Sequence, residues 1–167
     1  MNWFGLKRRL AAIQLLVLDV DGVLTDGGLF YGADGSVQRR FDVRDGLGLK
    51  LLQQQTNVHL ALLSGGIGAA TEQRAKHLGI GHCFTAVEEK QQVLAELQQQ
   101  LGVSTAQTAY CGDDLNDLVV RPFVGVLVTP ANGCIAIKRK ADLVLNQRGG
   151  DGAVRELVEQ ILRAKAN

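Results

Sequence analysis

Short apolar runs alternate with longer segments of mixed polarity along this chain, and the alternation predicts strands followed by helices. The predicted strands lie near residues 15–20, 58–63, 108–111, 124–128 and 143–145. Helical spacing of apolar residues occurs near residues 46–55, 68–78, 88–101 and 152–165. Strands that alternate with helices form a parallel sheet covered on both faces. The pattern therefore predicts an α/β protein with a doubly wound, Rossmann-like parallel sheet.

A different pattern lies between the first predicted strand and the first predicted helix. Residues 29–31 and 37–43 are rich in apolar and β-branched side chains, and the turn sequence Gly-Ala-Asp-Gly at 32–35 separates them. This arrangement predicts a β-hairpin, at about residues 28–43, inserted after the first strand. The sequence contains no repeat, low-complexity tract or linker, so residues 1–167 are predicted to form a single domain.

The first apolar run ends abruptly in two carboxylates, Asp19 and Asp21, followed by Gly22. In an open α/β sheet, ligands bind beyond the carboxyl ends of the strands. If the strand continues, its alternation points both side chains the same way, and two like charges so close require neutralisation. Oxygen ligands favour Mg²⁺ for this purpose. A solvent-facing Asp-Gly turn is the alternative interpretation.

A second acidic cluster follows another apolar run, at residues 108–111. It comprises Asp113, Asp114 and Asp117, where a strand is expected to give way to a helix. Two such clusters support each other as parts of one site. Asp114 and Asp117 alternatively cap the following short helix, a role that aspartate often takes.

Two further polar positions lie between these clusters. Ser64, Gly65 and Gly66 follow the strand predicted near 58–63, and glycines leave backbone N–H groups accessible to an anion. Lys90 opens a helical segment. Ser64 alternatively begins an ordinary turn, and Lys90 alternatively is a solvated charge beside two glutamates.

In this chain, residues 19–27, Ser64, Lys90 and residues 112–117 follow one another in a fixed order. In type and order they resemble the four motifs that the haloacid dehalogenase-like phosphatases share. The chain is further similar to the subfamily of 3-deoxy-D-manno-octulosonate 8-phosphate phosphatases, on residues 44–48, 112–118 and 148–156. Relatives of that subfamily include acylneuraminate 9-phosphate phosphatases and the C-terminal module of some acylneuraminate cytidylyltransferases. The resemblance covers most of the chain.

The resemblance implies a Mg²⁺-dependent hydrolysis of a sugar phosphate through an aspartyl-phosphate. Asp19 would be the nucleophile, and Asp21 would protonate the leaving oxygen and then deprotonate water. Mg²⁺ would be held by the Asp19 carboxylate, the Asp21 backbone carbonyl and the Asp113 carboxylate. Ser64 and Lys90 would hold the phosphate oxygens.

The resemblance also implies supporting and substrate-contacting residues. Asp114 and Asp117 would support the metal site and orient Lys90. Candidate substrate contacts are Thr25, Arg44, Gly65, Gly66 and Arg148.

The chain departs from the subfamily at positions that bear on the substrate. Members generally carry an arginine directly after Ser-Gly and often a lysine three residues later, whereas this chain has Gly66 and Ala69. Arg39, Arg40 or Arg44 are candidates for supplying the lost charge. The octulosonate 8-phosphate is the expected substrate, with an acylneuraminate 9-phosphate or another sugar phosphate as the alternative. A noncatalytic assembly or metabolite-sensing module is the alternative from another functional class.

Many members of the superfamily carry a cap domain inserted between these motifs. In this chain the hairpin and the predicted helices account for nearly all residues between the motifs, so no cap domain is expected. The resemblance implies that hairpins of four subunits meet and that a neighbour covers the open site, so a homotetramer is expected. An exposed apolar edge at residues 29–31 makes such an interface physically reasonable.

Composition agrees with a compact enzyme that acts on a small molecule. A net charge of +1 and 5% aromatic residues give no case for a nucleic-acid partner. No stretch approaches the length of apolar residues that a membrane-spanning helix requires. The three cysteines are odd in number and lack Cys-x-x-Cys spacing, which indicates reduced thiols and a cytoplasmic protein.

Overall fold

The computed structural model describes residues 3–166. Its strands are β1 (Leu15–Leu18), β2 (Phe30–Tyr31), β3 (Val37–Gln38), β4 (His59–Leu63), β5 (His82–Phe84), β6 (Thr108–Cys111), β7 (Val126–Thr129) and β8 (Leu143–Val144). Its α-helices are α1 (Trp3–Ala11), α2 (Val43–Gln55), α3 (Ala69–Leu78), α4 (Lys90–Leu101), α5 (Ile135–Lys140) and α6 (Ala153–Lys165). Two 3₁₀ helices lie at Thr105–Gln107 and Leu115–Phe123. None of the helices within residues 3–166 has the length and apolar character needed to cross a membrane.

Six of the strands form one sheet in the order β5-β4-β1-β6-β7-β8, and every pairing in it is parallel. The chain builds outward from β1 to β4 and β5, then returns to the other side of β1 for the remaining strands. The order therefore reverses between β1 and β6, which is where open α/β sheets bind their ligands. The predicted doubly wound parallel sheet is confirmed.

Strand β1 is apolar throughout because both of its faces are covered. Leu16 and Leu18 belong to a core that includes side chains of α1, α2, α3 and α6. Leu15 and Val17 belong to a second core with side chains of α4, α5 and the longer 3₁₀ helix. All four residues are buried, and each such side chain contributes about 1.5–3 kcal/mol through burial. Two packed cores hold the end of β1 in a fixed place.

Among the α-helices and strands that the structure describes, three were not predicted from the sequence, namely α1, β5 and α5. Helix α1 carries Leu6 and Leu10, which are one helical turn apart and pack in the same core as α6. Strand β5 has only three residues, all partly exposed, so it produces no distinct apolar run. Helix α5 spans only six residues, too few for a clear helical period.

The predicted hairpin exists, but it is shorter than expected. Its strands β2 and β3 have two residues each and pair antiparallel. The second strand does not continue to residue 43, because Asp42 caps α2 by accepting the backbone N–H of Arg44 at 2.6 Å. Helix α2 therefore begins at Val43 rather than near residue 46. Phe30 and Tyr31 are 66% and 75% exposed, so this hairpin presents aromatic surface to solvent.

Candidate active site

A cavity of about 310 Å³ opens where β1, β4 and β6 end. Its lining residues are Asp19, Asp21, Gly27, Ser64, Gly65, Gly66, Asp113, Asp114 and Asn116. The strand topology thus brings together residues from three separate sequence motifs, as the sequence predicted.

The loop after β1 brings two carboxylates close together. Gly22 has a positive φ of 86°, and a Cβ at this position would lie 2.0 Å from Oδ2 of Asp113. Glycine is therefore required both by the backbone conformation and by the approach of that carboxylate. Because the loop turns sharply there, the buried Asp19 at the end of β1 and the partly exposed Asp113 after β6 share one site.

Lys90 reaches this site from the first residue of α4, and its side chain is almost completely buried. Its Nζ donates to Oδ1 of Asp19 at 2.9 Å and to Oδ1 of Asp117 at 2.7 Å. It also donates to the hydroxyl of Tyr110 at 3.2 Å. A buried ammonium group with three acceptors is held in one position and does not behave as a solvated surface charge.

Asp117 is fully buried and braces the site through both of its carboxylate oxygens. Its Oδ1 accepts from Lys90 and from the hydroxyl of Tyr110, the latter at 2.6 Å. Its Oδ2 accepts the backbone N–H groups of Asp113 at 2.8 Å and Asp114 at 3.3 Å. The Asp114 carboxylate instead caps the 3₁₀ helix by accepting the N–H of Leu115 at 2.7 Å.

Tyr110 is a site residue that the sequence prediction missed. It lies within β6 and is fully buried, and its hydroxyl contacts both Lys90 and Asp117. The sequence carried one indication of this role, namely a tyrosine in the centre of an apolar strand. A tyrosine hydroxyl that is buried there requires a hydrogen-bond partner, and the polar residues of the site can supply it.

Negative charge exceeds positive charge around Lys90. Burial, followed by the charge of Asp117, raises the pKa of Asp19 to about 7, although Lys90 opposes this. Burial and the charges of Asp117 and Asp114 raise the pKa of Asp113 to about 7. Burial tends to lower the pKa of Lys90, but Asp19 and Asp117 together raise it above its ordinary value. The site therefore favours an additional cation.

The same carboxylates have the donor chemistry of a Mg²⁺ site. Oxygen atoms of Asp19, Asp113 and Asp117 all lie within 4.8 Å of one another. Because hydrogen bonds already occupy both oxygens of Asp117, Asp19 and Asp113 are the better ligands of the three. Two carboxylates with raised pKa values fit a hard divalent cation, which takes oxygen ligands.

Ser64 follows β4 and faces the same cavity. The residue is buried, and its Oγ accepts the backbone N–H of Gly66 at 3.2 Å. Gly65 and Gly66 line the cavity beside it. A hydroxyl followed by two glycines gives this side of the cavity donors that suit an oxyanion.

Asp21 lines the cavity and forms a two-point ion pair with Arg39. Nε of Arg39 donates to Oδ1 of Asp21 at 2.7 Å, and Nη2 donates to Oδ2 at 3.1 Å. Arg39 follows β3, so the hairpin contributes to the site within a single subunit.

Three predicted substrate contacts lie away from the cavity lining. Thr25 is buried under the loop, and its hydroxyl accepts the N–H groups of Gly22 and Gly27 at 3.3 and 3.1 Å. Arg44 pairs with Asp42 at 2.7 Å. Arg148 is exposed. The structure therefore shows Thr25 bracing the loop, and a role of Arg44 or Arg148 toward substrate stays a prediction.

A segment late in the sequence braces the loop after β1. Nδ2 of Asn132 donates to the carbonyl of Gly22 at 2.9 Å, and Oδ1 of Asn132 accepts the N–H of Gly149 at 2.6 Å. A Cβ at Gly149 would lie 1.9 Å from the Gly22 carbonyl oxygen, so only glycine fits. The glycines of this segment therefore permit a close backbone approach to the loop after β1.

Comparison with known proteins gives a consistent set of relatives, although no family model matches the chain. The chain is 40% identical, over 160 residues, to 3-deoxy-D-manno-octulosonate 8-phosphate phosphatase KdsC of Haemophilus influenzae. This alignment covers 96% of the chain and 88% of the relative.

Solved structures show the same relationship. The 3-deoxy-D-manno-octulosonate 8-phosphate phosphatase of Moraxella catarrhalis, in complex with a magnesium ion, a phosphate ion and KDO, superposes with a TM-score of 0.95 at 37% identity. The superposition covers 99% of this chain and 95% of that one. The cobalt-bound phosphatase YrbI of Haemophilus influenzae gives a TM-score of 0.91 at 40% identity, with 95% and 92% coverage.

Proposed function

Because the chain belongs to the family of 3-deoxy-D-manno-octulosonate 8-phosphate phosphatases within the haloacid dehalogenase-like superfamily, we propose that it hydrolyses this sugar phosphate with Mg²⁺. The products are the free sugar acid and inorganic phosphate. The observation that carries the proposal is the arrangement of Asp19 and Asp113 around one cavity, with Lys90 bonded to Asp19. This arrangement lies in a fold shared with solved phosphatases 37–40% identical to the chain.

Asp19 is the nucleophile of the proposed reaction. Its carboxylate attacks phosphorus in line with the departing sugar oxygen, and an aspartyl-phosphate forms. The hydrogen bond from Lys90 fixes the orientation of this carboxylate within the buried end of β1. Asp117 and Tyr110 hold Lys90 in turn, so the attacking group keeps one position.

The phosphoryl group is held by residues from two other strand ends. Ser64 donates its hydroxyl to one non-bridging oxygen, and Lys90 supplies positive charge to another. Asp114 and Asp117 are supporting residues, because they cap and brace the loop that carries Asp113.

Mg²⁺ would be held by the carboxylates of Asp19 and Asp113 and by the backbone carbonyl of Asp21. When bound, the ion neutralises negative charge on the phosphoryl oxygens and on the two carboxylates.

Asp21 is the general acid in the first half of the reaction and the general base in the second half. It protonates the sugar oxygen as the P–O bond breaks, and it then takes a proton from the water that attacks the aspartyl-phosphate. Water attack releases phosphate and regenerates the Asp19 carboxylate. Since a sugar alkoxide is a poor leaving group, this proton transfer is needed for the first half of the reaction.

We also propose how the subunit is organised and how it assembles. Residues 1–167 act as one domain, with the hairpin at about residues 28–43 as the element for oligomerisation and for covering the site. A homotetramer is supported by the exposed Phe30 and Tyr31. The three cysteines are free in the structure, which supports a cytoplasmic enzyme, and its product would serve lipopolysaccharide sugar synthesis.

Phosphate release by the full chain tests the proposed function. The panel contains octulosonate 8-phosphate, an acylneuraminate 9-phosphate and a neutral sugar phosphate, each with Mg²⁺ and with a chelator. We expect the highest kcat/KM for octulosonate 8-phosphate, loss of activity with chelator and recovery on addition of Mg²⁺. A higher kcat/KM for another member of the panel would show that the proposed substrate is wrong. Hydrolysis at the same rate with and without chelator would contradict the proposed Mg²⁺ site.

A further inference from the structure

Arg39 belongs to the hairpin, and its side chain is buried against Asp21, which lines the cavity. Its side chain is 2% exposed, whereas that of Arg40, the next residue, is 54% exposed. Two of its nitrogens bind the two oxygens of Asp21, and Nη2 also donates to the carbonyl of Ile67 at 3.3 Å. A partly buried two-point pair of this kind fixes both the position and the orientation of a carboxylate.

The absence of side chains at residues 66 and 68 makes room for this guanidinium. A Cβ at Gly66 would lie 2.8 Å from Oδ2 of Asp21 and 2.9 Å from Nη2 of Arg39. A Cβ at Gly68 would lie 3.2 Å from Nη1 of Arg39. A side chain at position 66 would therefore require the Arg39–Asp21 pair to shift from the position that it has here.

We propose that Arg39 is a positioning residue, which aims the Asp21 carboxylate at the leaving oxygen, and that Gly66 is coupled to it through this packing. The inference rests on the proposed function, because it concerns the step assigned to Asp21. It gives position 66 a role in transition-state geometry rather than in substrate binding.

The burial of Arg39 favours positioning over recognition of the substrate's own carboxylate. Arg39 is not among the residues that line the cavity, and its Nη1 is buried beside Gly68. The guanidinium therefore faces protein atoms rather than a ligand in the cavity. Asp21, by contrast, lines the cavity and is 29% exposed, so Arg39 acts through Asp21.

The test compares three phosphate esters that separate leaving-group protonation from recognition of a carboxylate. Octulosonate 8-phosphate has an alkyl leaving group and a carboxylate, glucose 6-phosphate has only the alkyl leaving group, and p-nitrophenyl phosphate has a leaving group that departs without a proton. For Arg39→Met we expect kcat/KM to fall roughly 100-fold on both alkyl esters and much less on the aryl ester. Arg8→Met removes an exposed guanidinium on α1 and is the control, with less than about a twofold change expected.

Each other result contradicts the proposal. A loss confined to octulosonate 8-phosphate would show that Arg39 recognises the sugar carboxylate. An equal loss on all three esters would show a general distortion of the site, and unchanged kinetics would show that the pair has no role. Arg39→Lys keeps the charge but not the two-point contact, and we expect it to recover only part of the activity. It also keeps the test valid if Arg39→Met fails to fold.

The coupling to Gly66 is tested by a double-mutant cycle. A Cβ at position 66 would meet the ends of two side chains, so Gly66→Ala is expected to leave the fold intact and to displace the ion pair. We expect Gly66→Ala to reduce kcat/KM on the alkyl esters in the wild-type background and to add less than about a twofold effect to Arg39→Met. Fully additive effects would overturn the coupling.

Failure of this inference and failure of the proposed function give different results. If the wild-type chain hydrolyses glucose 6-phosphate and p-nitrophenyl phosphate but not octulosonate 8-phosphate, the proposed substrate is wrong. The comparison of alkyl and aryl esters would still decide the role of Arg39. If the wild-type chain hydrolyses the octulosonate and Arg39→Met does so equally well, only the inference fails.

Discussion

Asp19 combines a buried position with a proposed role as nucleophile, so one substitution has separate effects on stability and on turnover. We expect Asp19→Asn to reduce phosphate release by roughly 10⁴-fold or more, because an amide does not form the acyl-phosphate. The variant is expected to fold, since Lys90 keeps its bond to Asp117 and the substitution removes a carboxylate whose charged form burial disfavours. Phosphate release and urea unfolding measure the two effects.

Asp34→Asn is the matched control, because Asp34 lies in the exposed turn of the hairpin. Its turnover is expected to equal that of the unmodified chain. Substantial activity of Asp19→Asn would refute the assignment of the nucleophile.

Tyr110 contributes to the site through its hydroxyl alone. Tyr110→Phe removes one of two donors to Oδ1 of Asp117 and one of three acceptors of Lys90, while the ring stays in the core. We expect the free energy of unfolding to fall by about 1–2 kcal/mol. Urea denaturation measures it, with Tyr31→Phe as the control because Tyr31 is 75% exposed. Equal stability of the two variants would exclude a structural contribution of the hydroxyl.

The sequence predicted the residues that converge on the cavity better than those that orient them. Asp19, Ser64 and Asp113 each follow an apolar run, and strand ends meet at one edge of a parallel sheet, so their proximity followed from pattern. Tyr110 and Arg39 gave weaker signals, since one lies inside a strand and the other on a hairpin that is otherwise exposed. Their roles depend on side-chain direction, which hydrophobic pattern does not specify.

At the scale of elements, Asp45 joins two helices. It is fully buried in the first turn of α2, and its Oδ1 accepts the backbone N–H of Arg155 in α6 at 2.8 Å. Burial raises its pKa from the ordinary 3.8 to about 6. Because the folded pKa lies above the unfolded one, this group stabilises the fold most below pH about 4, and that contribution is lost as pH rises through about 6.

Asp45→Asn isolates this contribution, because asparagine does not titrate. We expect the stability of the wild-type chain relative to Asp45→Asn to decrease as pH is raised from about 4 to about 7. Urea denaturation of both proteins across this range measures the difference. Asp151→Asn, at a site 60% exposed, is the control, and a pH-independent difference for Asp45→Asn would contradict the prediction.

The strands and helices that were predicted best are those that are long or that are buried on both faces. Strand β1 and helix α6 have clear apolar patterns, because one is covered on both faces and the other buries a continuous stripe. Strand β5 and helix α5 are short, and β5 lies at an edge of the sheet, so their sequences are under weaker constraint. The start of α2 was missed because the cap at Asp42 is a local hydrogen bond within a run that otherwise favours a strand.

At the scale of the whole molecule, the hairpin is the element proposed to form the contact between subunits. Phe30 and Tyr31 pair across the hairpin with Gln38 and Val37, yet their own side chains are mostly exposed. We expect the double variant Phe30→Ser, Tyr31→Ser to lower the mass of the proposed assembly, because it would remove the apolar surface proposed to join the subunits. Light scattering coupled to gel filtration measures this mass against the 18.0 kDa chain.

Phe4→Ser provides the control, since Phe4 is an aromatic residue 78% exposed on a different element, α1. Its assembly is expected to match that of the unmodified chain. An unchanged mass for the double hairpin variant would exclude this hairpin as the interface.

The bracing of Gly22 by Asn132 and Gly149 has a consequence for translation. Asn132 follows Gly22 by 110 positions, so a ribosome synthesises the nucleophile loop long before the segment that holds it in place. Domains generally fold as units during synthesis, starting from the N-terminal side. We therefore expect the proposed hydrolytic site to form only after Asn132 and Gly149, which brace this loop, have emerged from the ribosome.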